Sequence, residues 1–371
     1  MRSARVAGAA RGLDVSPSGR HFVVHRYAMG DEVAGEDFAA EDVSDEEYFD
    51  EGDPATARVQ IGALGEGAAP PRELHALGAA FVSDEALLVL ARHDSATGSV
   101  ATDDSLVLRI ERTSGMPASN DAWRVTVPRL VLPQLRVSGG GGRWSLTGRD
   151  PANPSAPMTL EGRVGGGEVT TRRWAAESSV RSLASALSPG LTTVIPLPAG
   201  GAVGVRFRAL GGRTMALYAL GITPVVSELW RMDDRGGRRR LAGVPGFLRC
   251  VDGAAVTAGQ AGAPSALCTA TDVRNNTTLL AVSADGRRVT TLASLEGMAN
   301  PVAAGPSGRV LAGVPARREL VLLDPASRSS SRVMLPEDMP FAYEARWVTG
   351  GIALLVSGGR GAKVVLLDVQ D

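Results

Sequence analysis

The feature that most constrains this chain is a short hydrophobic segment that recurs seven times along it. The copies are HFVVHRY from His21, ALLVLAR from Ala86, WSLTGRD from Trp144, AVGVRFR from Ala202, ALCTATD from Ala266, VLAGVPA from Val310 and IALLVSG from Ile352. Most copies follow a turn-forming sequence, such as SPSGR at residues 16–20 or PSGR at residues 306–309. Gly and Asp tolerate the positive φ of tight hairpin turns. Each copy is therefore predicted to be a strand that follows a hairpin turn.

The spacing of the copies predicts a closed ring. Successive copies start 65, 58, 58, 64, 44 and 42 residues apart, and the interval across the chain termini is 40 residues. An interval near 40 residues is typical of one four-stranded propeller blade, and the longer intervals leave room for insertions. We predict an all-β fold, a seven-bladed β-propeller with four-stranded blades, as one domain over residues 1–371.

Further hydrophobic segments fit the later strands of these blades. They are LVLRIER from Leu106, TLLAVSA from Thr278, RVTTLAS from Arg288, ELVLLDP from Glu319 and KVVLLDV from Lys363. KVVLLDV has the position of a third strand, so the last blade lacks its outer strand. ARVAGAA, from Ala4 to Ala10, could supply that strand. Such closure between the N- and C-terminal segments would remove an open sheet edge.

Turn sequences carry a family resemblance. DVSPSGR at residues 14–20, PVAAGPSGRVLAG from Pro301 and AVSADGRRVTTLA from Ala281 resemble the S-P-D-G-R turns of TolB-like and WD40-like bacterial propeller repeats. The resemblance covers mainly residues 250–371. It implies a ring whose faces and central channel bind proteins, peptides or small ligands, and it implies no particular reaction.

Charge is distributed unevenly. The segment from Asp31 to Asp53 has twelve acidic residues and no basic one, whereas the rest of the chain has 28 acids against 39 bases. We interpret the segment as an acidic insertion in the first blade, because so many carboxylates cannot all be buried. Docking onto a basic partner or onto the chain's own Arg residues, and cation binding, are alternative roles. The candidate partner-binding residues are Asp37, Phe38, Glu41, Asp42, Asp45, Glu46, Glu47, Tyr48, Phe49 and Asp50.

The basic residues give no sign of nucleic-acid binding. All but Lys363 are Arg, and no Lys/Arg-rich block has interleaved aromatic residues. A GC-rich genome, which favours Arg codons, is sufficient to explain the bias.

No catalytic or metal-binding motif stands out. The chain contains no G-x-S-x-G pentapeptide and only four His, namely His21, His25, His75 and His93. A metal site with His ligands usually needs three or more protein ligands, and no local cluster provides them. We therefore predict no catalytic residues, no metal and no cofactor.

Cys250 and Cys268 are the two cysteines, and they flank a Gly- and Ala-rich turn near Gly259. In an antiparallel hairpin they would face one another and could form a disulfide. Two small buried hydrophobic side chains are the alternative. A bridge would indicate an oxidising compartment, while the lack of an N-terminal apolar segment favours the cytoplasm unless the chain is an excised domain.

The sequence thus predicts a non-enzymatic binding or scaffold protein that presents loops to a protein partner in a larger assembly. No nucleic-acid partner and no membrane span are expected, and a small-molecule ligand is left open. A hydrolase or lyase with its site in the central channel, and an extracytoplasmic glycan or peptide sensor, are the alternatives.

Overall fold

The computed structural model describes most of the chain. The described residues are 2–6, 10–26, 58–65, 68–92, 105–114, 123–137, 141–173, 193–197, 200–209, 225–233, 237–252, 264–272, 274–305, 309–324, 327, 329–335, 337, 341–349, 351–358 and 361–368. They form seven sheets, each of four strands. Every strand pair within these sheets is antiparallel.

The first four blades follow one another along the chain, with their strands ordered from the centre of the ring outward. Blade 1 has β2 (Ala10–Val15), β3 (His21–Arg26), β4 (Arg58–Ala63) and β5 (Arg72–His75). Blade 2 has β6 (Gly78–Phe81), β7 (Ala86–Arg92), β8 (Ser105–Arg112) and β9 (Arg124–Pro128). Blade 3 has β10 (Val131–Val137), β11 (Arg143–Asp150), β12 (Asn153–Arg163) and β13 (Val169–Arg173). Blade 4 has β14 (Thr193–Pro196), β15 (Ala202–Ala209), β16 (Val225–Met232) and β17 (Arg238–Pro245).

The last three blades complete the ring. Blade 5 has β18 (Phe247–Asp252), β19 (Ala266–Thr271), β20 (Asn276–Val282) and β21 (Val289–Glu296). Blade 6 has β22 (Asn300–Ala304), β23 (Val310–Val314), β24 (Glu319–Asp324) and β25 (Ser329–Met334), with a short 3-10 helix at Pro315–Arg317. Blade 7 has β26 (Phe341–Val348), β27 (Gly351–Gly358), β28 (Gly361–Asp368) and, as its outer strand, β1 (Arg2–Val6). The seven-bladed architecture is confirmed.

All seven recurring segments form the second strand of a blade. These strands are apolar because both of their faces are covered by neighbouring blades. In β23, for example, Val310 and Ala312 pack in a core shared with blade 5, whereas Leu311 packs in a core shared with blade 7. Period-2 alternation therefore does not separate a buried from an exposed face here. It separates two buried faces.

The predicted closure of the last blade is also confirmed, with shifted bounds. Ala4 is the Cα partner of Val364, and Val6 that of Ala362. Ala10 instead begins the inner strand of blade 1. Val6 packs with Val364 and Leu366 in the apolar cluster between blades 7 and 1.

Apolar clusters also join the other blades. They lie between blades 1 and 2, 2 and 3, 4 and 5, 5 and 6, and 6 and 7. Within the described residues no such cluster spans blades 3 and 4. No helix in the described part of the chain is long and apolar enough to cross a membrane.

Candidate functional site

Each face of the ring is defined by the strand-to-strand connections that lie on it. The connections from first to second strand and from third to fourth strand lie on one face, which we call the turn face. The connections from second to third strand and from blade to blade lie on the opposite face, which we call the loop face. Contacts between adjacent blades agree with this division. On the turn face, Thr349 Oγ1 donates to Pro17 O at 3.3 Å and Ser18 N donates to Asp84 Oδ1 at 2.9 Å.

Tight glycine turns hold the turn face together. Gly141 has a φ of +70°, and a Cβ there would overlap Val82 O of the neighbouring blade. Gly201 has a φ of +79°, and a Cβ there would overlap Met232 O. These two turns need glycine both for the positive φ and for the close backbone approach.

The three longest connections between described strands begin and end at the loop face. These are residues 27–57 between β3 and β4, residues 174–192 between β13 and β14, and residues 210–224 between β15 and β16. The acidic segment Asp31–Asp53 belongs to the first of them, whose flanking residues Arg26 and Arg58 are Cα partners. All ten candidate partner-binding residues lie outside the described residues, so the structure places their anchoring strands and not the side chains themselves.

The three described histidines, His21, His25 and His75, do not form a metal-binding group. His25 Nε2 lies 3.1 Å from Ala79 O in blade 2, and its ring lies over Gly12, where a Cβ would come within 3.1 Å of Nδ1. His21 shares the same strand, β3, while His75 is exposed on the outer strand β5. His93 lies outside the described residues. Among the described residues no group of three or more His, Cys, Asp or Glu could hold a metal ion.

A charged group that the sequence analysis missed lies on the inner strands of blades 7 and 1 and contacts the inner strand of blade 2. The Asp14 carboxylate accepts a hydrogen bond from Phe81 N at 2.7 Å. Glu344 Oε2 accepts one from Leu13 N at 2.9 Å and lies 3.2 Å from Arg346 Nη2. The three charged residues thus link the innermost strands of three consecutive blades.

Burial dominates the electrostatics of Asp14. It raises the pKa of the carboxyl above its usual value, although the positive charge of Arg346 and the Phe81 and Val15 amides act in the opposite direction. Glu344 and Asp14 are far apart in the sequence, so no local motif could reveal this group. In the sequence, the only sign of this group is a single acidic residue among mainly apolar neighbours in two segments, Asp14 in LDV and Glu344 in AYEARW.

Cys250 and Cys268 lie opposite one another on the inner two strands of blade 5. They are Cα partners in the β18–β19 register, 4.1 Å apart, and a disulfide joins them. The Cys268 side chain is fully buried in the cluster between blades 4 and 5.

The geometry defines a seven-bladed β-propeller whose turn face has hydrogen bonds between neighbouring blades, and whose three longest connections between described strands begin and end at the loop face. Comparison with solved structures agrees. The β-propeller domain of the Trilobed protease from Pyrococcus furiosus superposes with a TM-score of 0.55 at 9% identity, covering 98% of this chain and 97% of that one. The Cps50 (Swd1) β-propeller domain of Myceliophteria thermophila superposes with a TM-score of 0.50 at 12% identity, covering 98% of both chains.

A third structure, virginiamycin B lyase from Staphylococcus aureus, matches over 99% of this chain and 98% of that one at 8% identity, with a TM-score of 0.44. At 9% and 12% identity, the likenesses to the two β-propeller domains establish the fold alone. No family model matches the sequence, and no curated protein matches it.

Proposed function

We propose that this protein is a non-enzymatic scaffold that presents the loop face of its propeller to a protein partner in a larger assembly. The observation that carries the proposal is that the three longest connections all leave one face of the ring, and that one of them contains twelve acidic residues. Binding residues are commonly placed on loops that a rigid scaffold positions.

The ring is built to be such a scaffold. Its last blade is completed by β1, so β28 is paired with a strand on each side. Apolar clusters fill six junctions between blades, and turn-face hydrogen bonds link blades 7, 1 and 2. Loops anchored on this frame can vary in length without disturbing the core.

The acidic segment favours a partner with a basic surface. Carboxylates from Asp37 to Asp50 would steer such a partner by long-range attraction, which speeds association and weakens as salt rises. Phe38, Tyr48 and Phe49 would supply apolar anchors, since aromatic side chains carry much of the binding energy at protein interfaces. The SPSGR-type turns support a TolB-like repeat origin as part of the same proposal.

The test compares two immobilised baits in cell lysate, the parent chain and a variant lacking residues 30–52. A partner retained by the parent is then purified and titrated against both proteins at about 50 mM and about 300 mM NaCl. We expect the parent to bind more weakly at the higher salt concentration and the deletion variant to bind at least about tenfold more weakly than the parent at the lower one. Equal retention of every bound protein by the two baits would contradict a role for the acidic segment.

A second candidate function is hydrolysis or a lyase reaction in the central channel. The observation that favours it is the raised pKa of Asp14, because a partly buried carboxyl near an Arg is a common feature of acid–base sites. Its test is a screen of the parent and Asp14→Asn with chromogenic ester and polysaccharide substrates. Activity in the parent that the variant loses would support catalysis, and equal rates would contradict a catalytic role for Asp14.

A further inference from the structure

The turn face has a cavity of about 420 Å³ where blades 4 and 5 meet. It lies between the adjoining ends of β16 and β17 in blade 4 and the β20–β21 turn of blade 5. Its lining residues are Arg231, Asp233, Gly237, Arg238, Arg239 and Arg287. Among the described lining residues there are four guanidinium groups and one carboxylate, a net charge of +3. Ligand pockets commonly have volumes of about 300–1,000 Å³, so the cavity can accommodate a small molecule.

Two of these arginines face one another directly. Arg231 and Arg239 are Cα partners in the β16–β17 register. Like charges at directly opposite positions of a sheet repel one another, and Asp233 is the one carboxylate among the described lining residues. An anion in the cavity would relieve the repulsion.

The guanidinium groups are held in place by the backbone of the next blade. Arg231 Nε donates to Asp285 O at 3.1 Å, and Arg239 Nη2 donates to Arg287 O at 3.1 Å. Each guanidinium carries five N–H groups, so one bond to a carbonyl orients it and leaves further donors. The blade 5 turn thereby positions two charges of blade 4 and adds the side chain of Arg287.

Two acidic residues near the cavity, Asp233 and Asp285, accept hydrogen bonds from groups within their own turns. Asp233 Oδ1 accepts a hydrogen bond from Gly237 N at 2.7 Å. Asp285 Oδ1 accepts from Ser283 Oγ at 2.6 Å and from Arg287 N at 3.0 Å, while its other oxygen lies 3.8 Å from Arg287 Nε. Counting Asp285, the described residues of the group carry four positive charges against two negative ones.

We propose that this cavity binds the phosphate groups of a small phosphorylated molecule. Guanidinium groups bind phosphate and carboxylate through paired N–H donors. The arginines here come from two strands and from a turn of another blade, so they approach from several directions. A tetrahedral phosphate accepts hydrogen bonds from several directions, whereas a planar carboxylate does so mainly in its plane.

The site is independent of the proposed scaffold function. The chain's own acidic segment is anchored at the loop face by Arg26 and Arg58, and the cavity lies on the turn face. Loss of one activity should therefore leave the other unchanged.

The test is a titration of the full chain with inorganic pyrophosphate, and separately with citrate, by isothermal calorimetry and by the shift in melting temperature. The variant Arg239→Gln/Arg287→Gln removes two charges from the cavity. A matched control, Arg274→Gln/Arg317→Gln, removes two charges from exposed positions at the loop face. Melting temperatures without ligand show whether each variant is folded.

We expect the parent to bind pyrophosphate with a dissociation constant in or below the millimolar range, and the cavity variant to bind at least about tenfold more weakly. The control should stay within about twofold of the parent. Absence of pyrophosphate binding by the parent, equal binding by the cavity variant, or citrate binding as tight as that of pyrophosphate would overturn the proposal.

Discussion

Arg5 of β1 and Lys363 of β28 are Cα partners, and the next residue along β1, Val6, is buried between blades 7 and 1. A strand near the start of the sequence thus completes the sheet made by the last three strands. The pairing supplies backbone hydrogen bonds, and the burial of Val6 supplies apolar contact with Val364 and Leu366.

Val6→Asp should therefore weaken ring closure. Val6 is only 4% exposed, and an unpaired charge there would lose apolar contact and water together. We expect the free energy of unfolding to fall by about 3 kcal/mol, measured by urea denaturation. Arg5→Gln on the same strand, where the side chain is exposed, is the control and should change it by less than about 0.5 kcal/mol. Equal effects of both changes would argue against closure as a source of stability.

The Cys250–Cys268 bridge can be tested by thiol titration of the unfolded, unreduced protein, purified under oxidising conditions. We expect no free thiols before reduction and two afterwards. The enclosed loop has a sequence separation of 18 residues, and a bridge of this size stabilises a fold by about 3 kcal/mol. Cys250→Ala/Cys268→Ala should lower the melting temperature accordingly. Two free thiols before reduction would reject the bridge.

Asp14 should make stability depend on pH in an unusual direction for a carboxylate. Its pKa is raised in the folded state, so the folded protein binds the proton more tightly than the unfolded chain does. The associated stability is present below the unfolded pKa of about 3.9 and is lost as pH rises through the folded pKa. In Asp14→Asn the side chain does not ionise, so the variant does not lose this stability as pH rises, and its amide oxygen can still accept the hydrogen bond from Phe81 N. The melting temperature of the variant relative to the parent should rise as pH rises above about 4, and a flat difference would contradict the assignment.

Asp84 should behave in the opposite way. Hydrogen bonds from the Ser18 hydroxyl and amide lower its pKa, so its stabilising contribution is present above about pH 3.9 and is lost as pH falls through the folded pKa. Because Asp84 is only partly buried, we expect Asp84→Asn to cost about 1 kcal/mol or less at pH 7. The cost should disappear in thermal melts well below pH 3.9. An equal cost at both pH values would show that charge is not the cause.

Deleting residues 30–52 should leave the ring folded. The Arg26–Arg58 register already fixes β3 against β4, and long surface connections cost little more to close than short ones. We expect a melting temperature within a few degrees of the parent and an unchanged circular dichroism spectrum. Loss of the folded state on deletion would refute a surface position for the acidic segment.

Much of the fold could be predicted from local sequence because a propeller repeats one unit, the four-stranded antiparallel blade. Each blade is a run of antiparallel strands, so a hydrophobic segment preceded by a turn signal, such as VLAGVPA after PSGR, identifies a second strand by itself. Counting these segments gave the number of blades, and the unpaired KVVLLDV segment required an outer strand from elsewhere in the chain. The bounds of β1 shifted because Ala10 pairs with Arg26 in blade 1, a choice that alternation cannot make.

The functional features depended on three-dimensional structure for a physical reason. Which face a connection leaves follows from strand direction within the ring, so the grouping of residues 27–57, 174–192 and 210–224 on one face has no signature in any of those segments. The Asp14–Arg346 proximity and the cavity between Arg239 and Arg287 join residues from different blades. Sequence determined which residues form each blade, because strands and turns are specified by near neighbours. Tertiary structure decided which charges meet, because the packing of one blade against the next places side chains that are far apart in the chain.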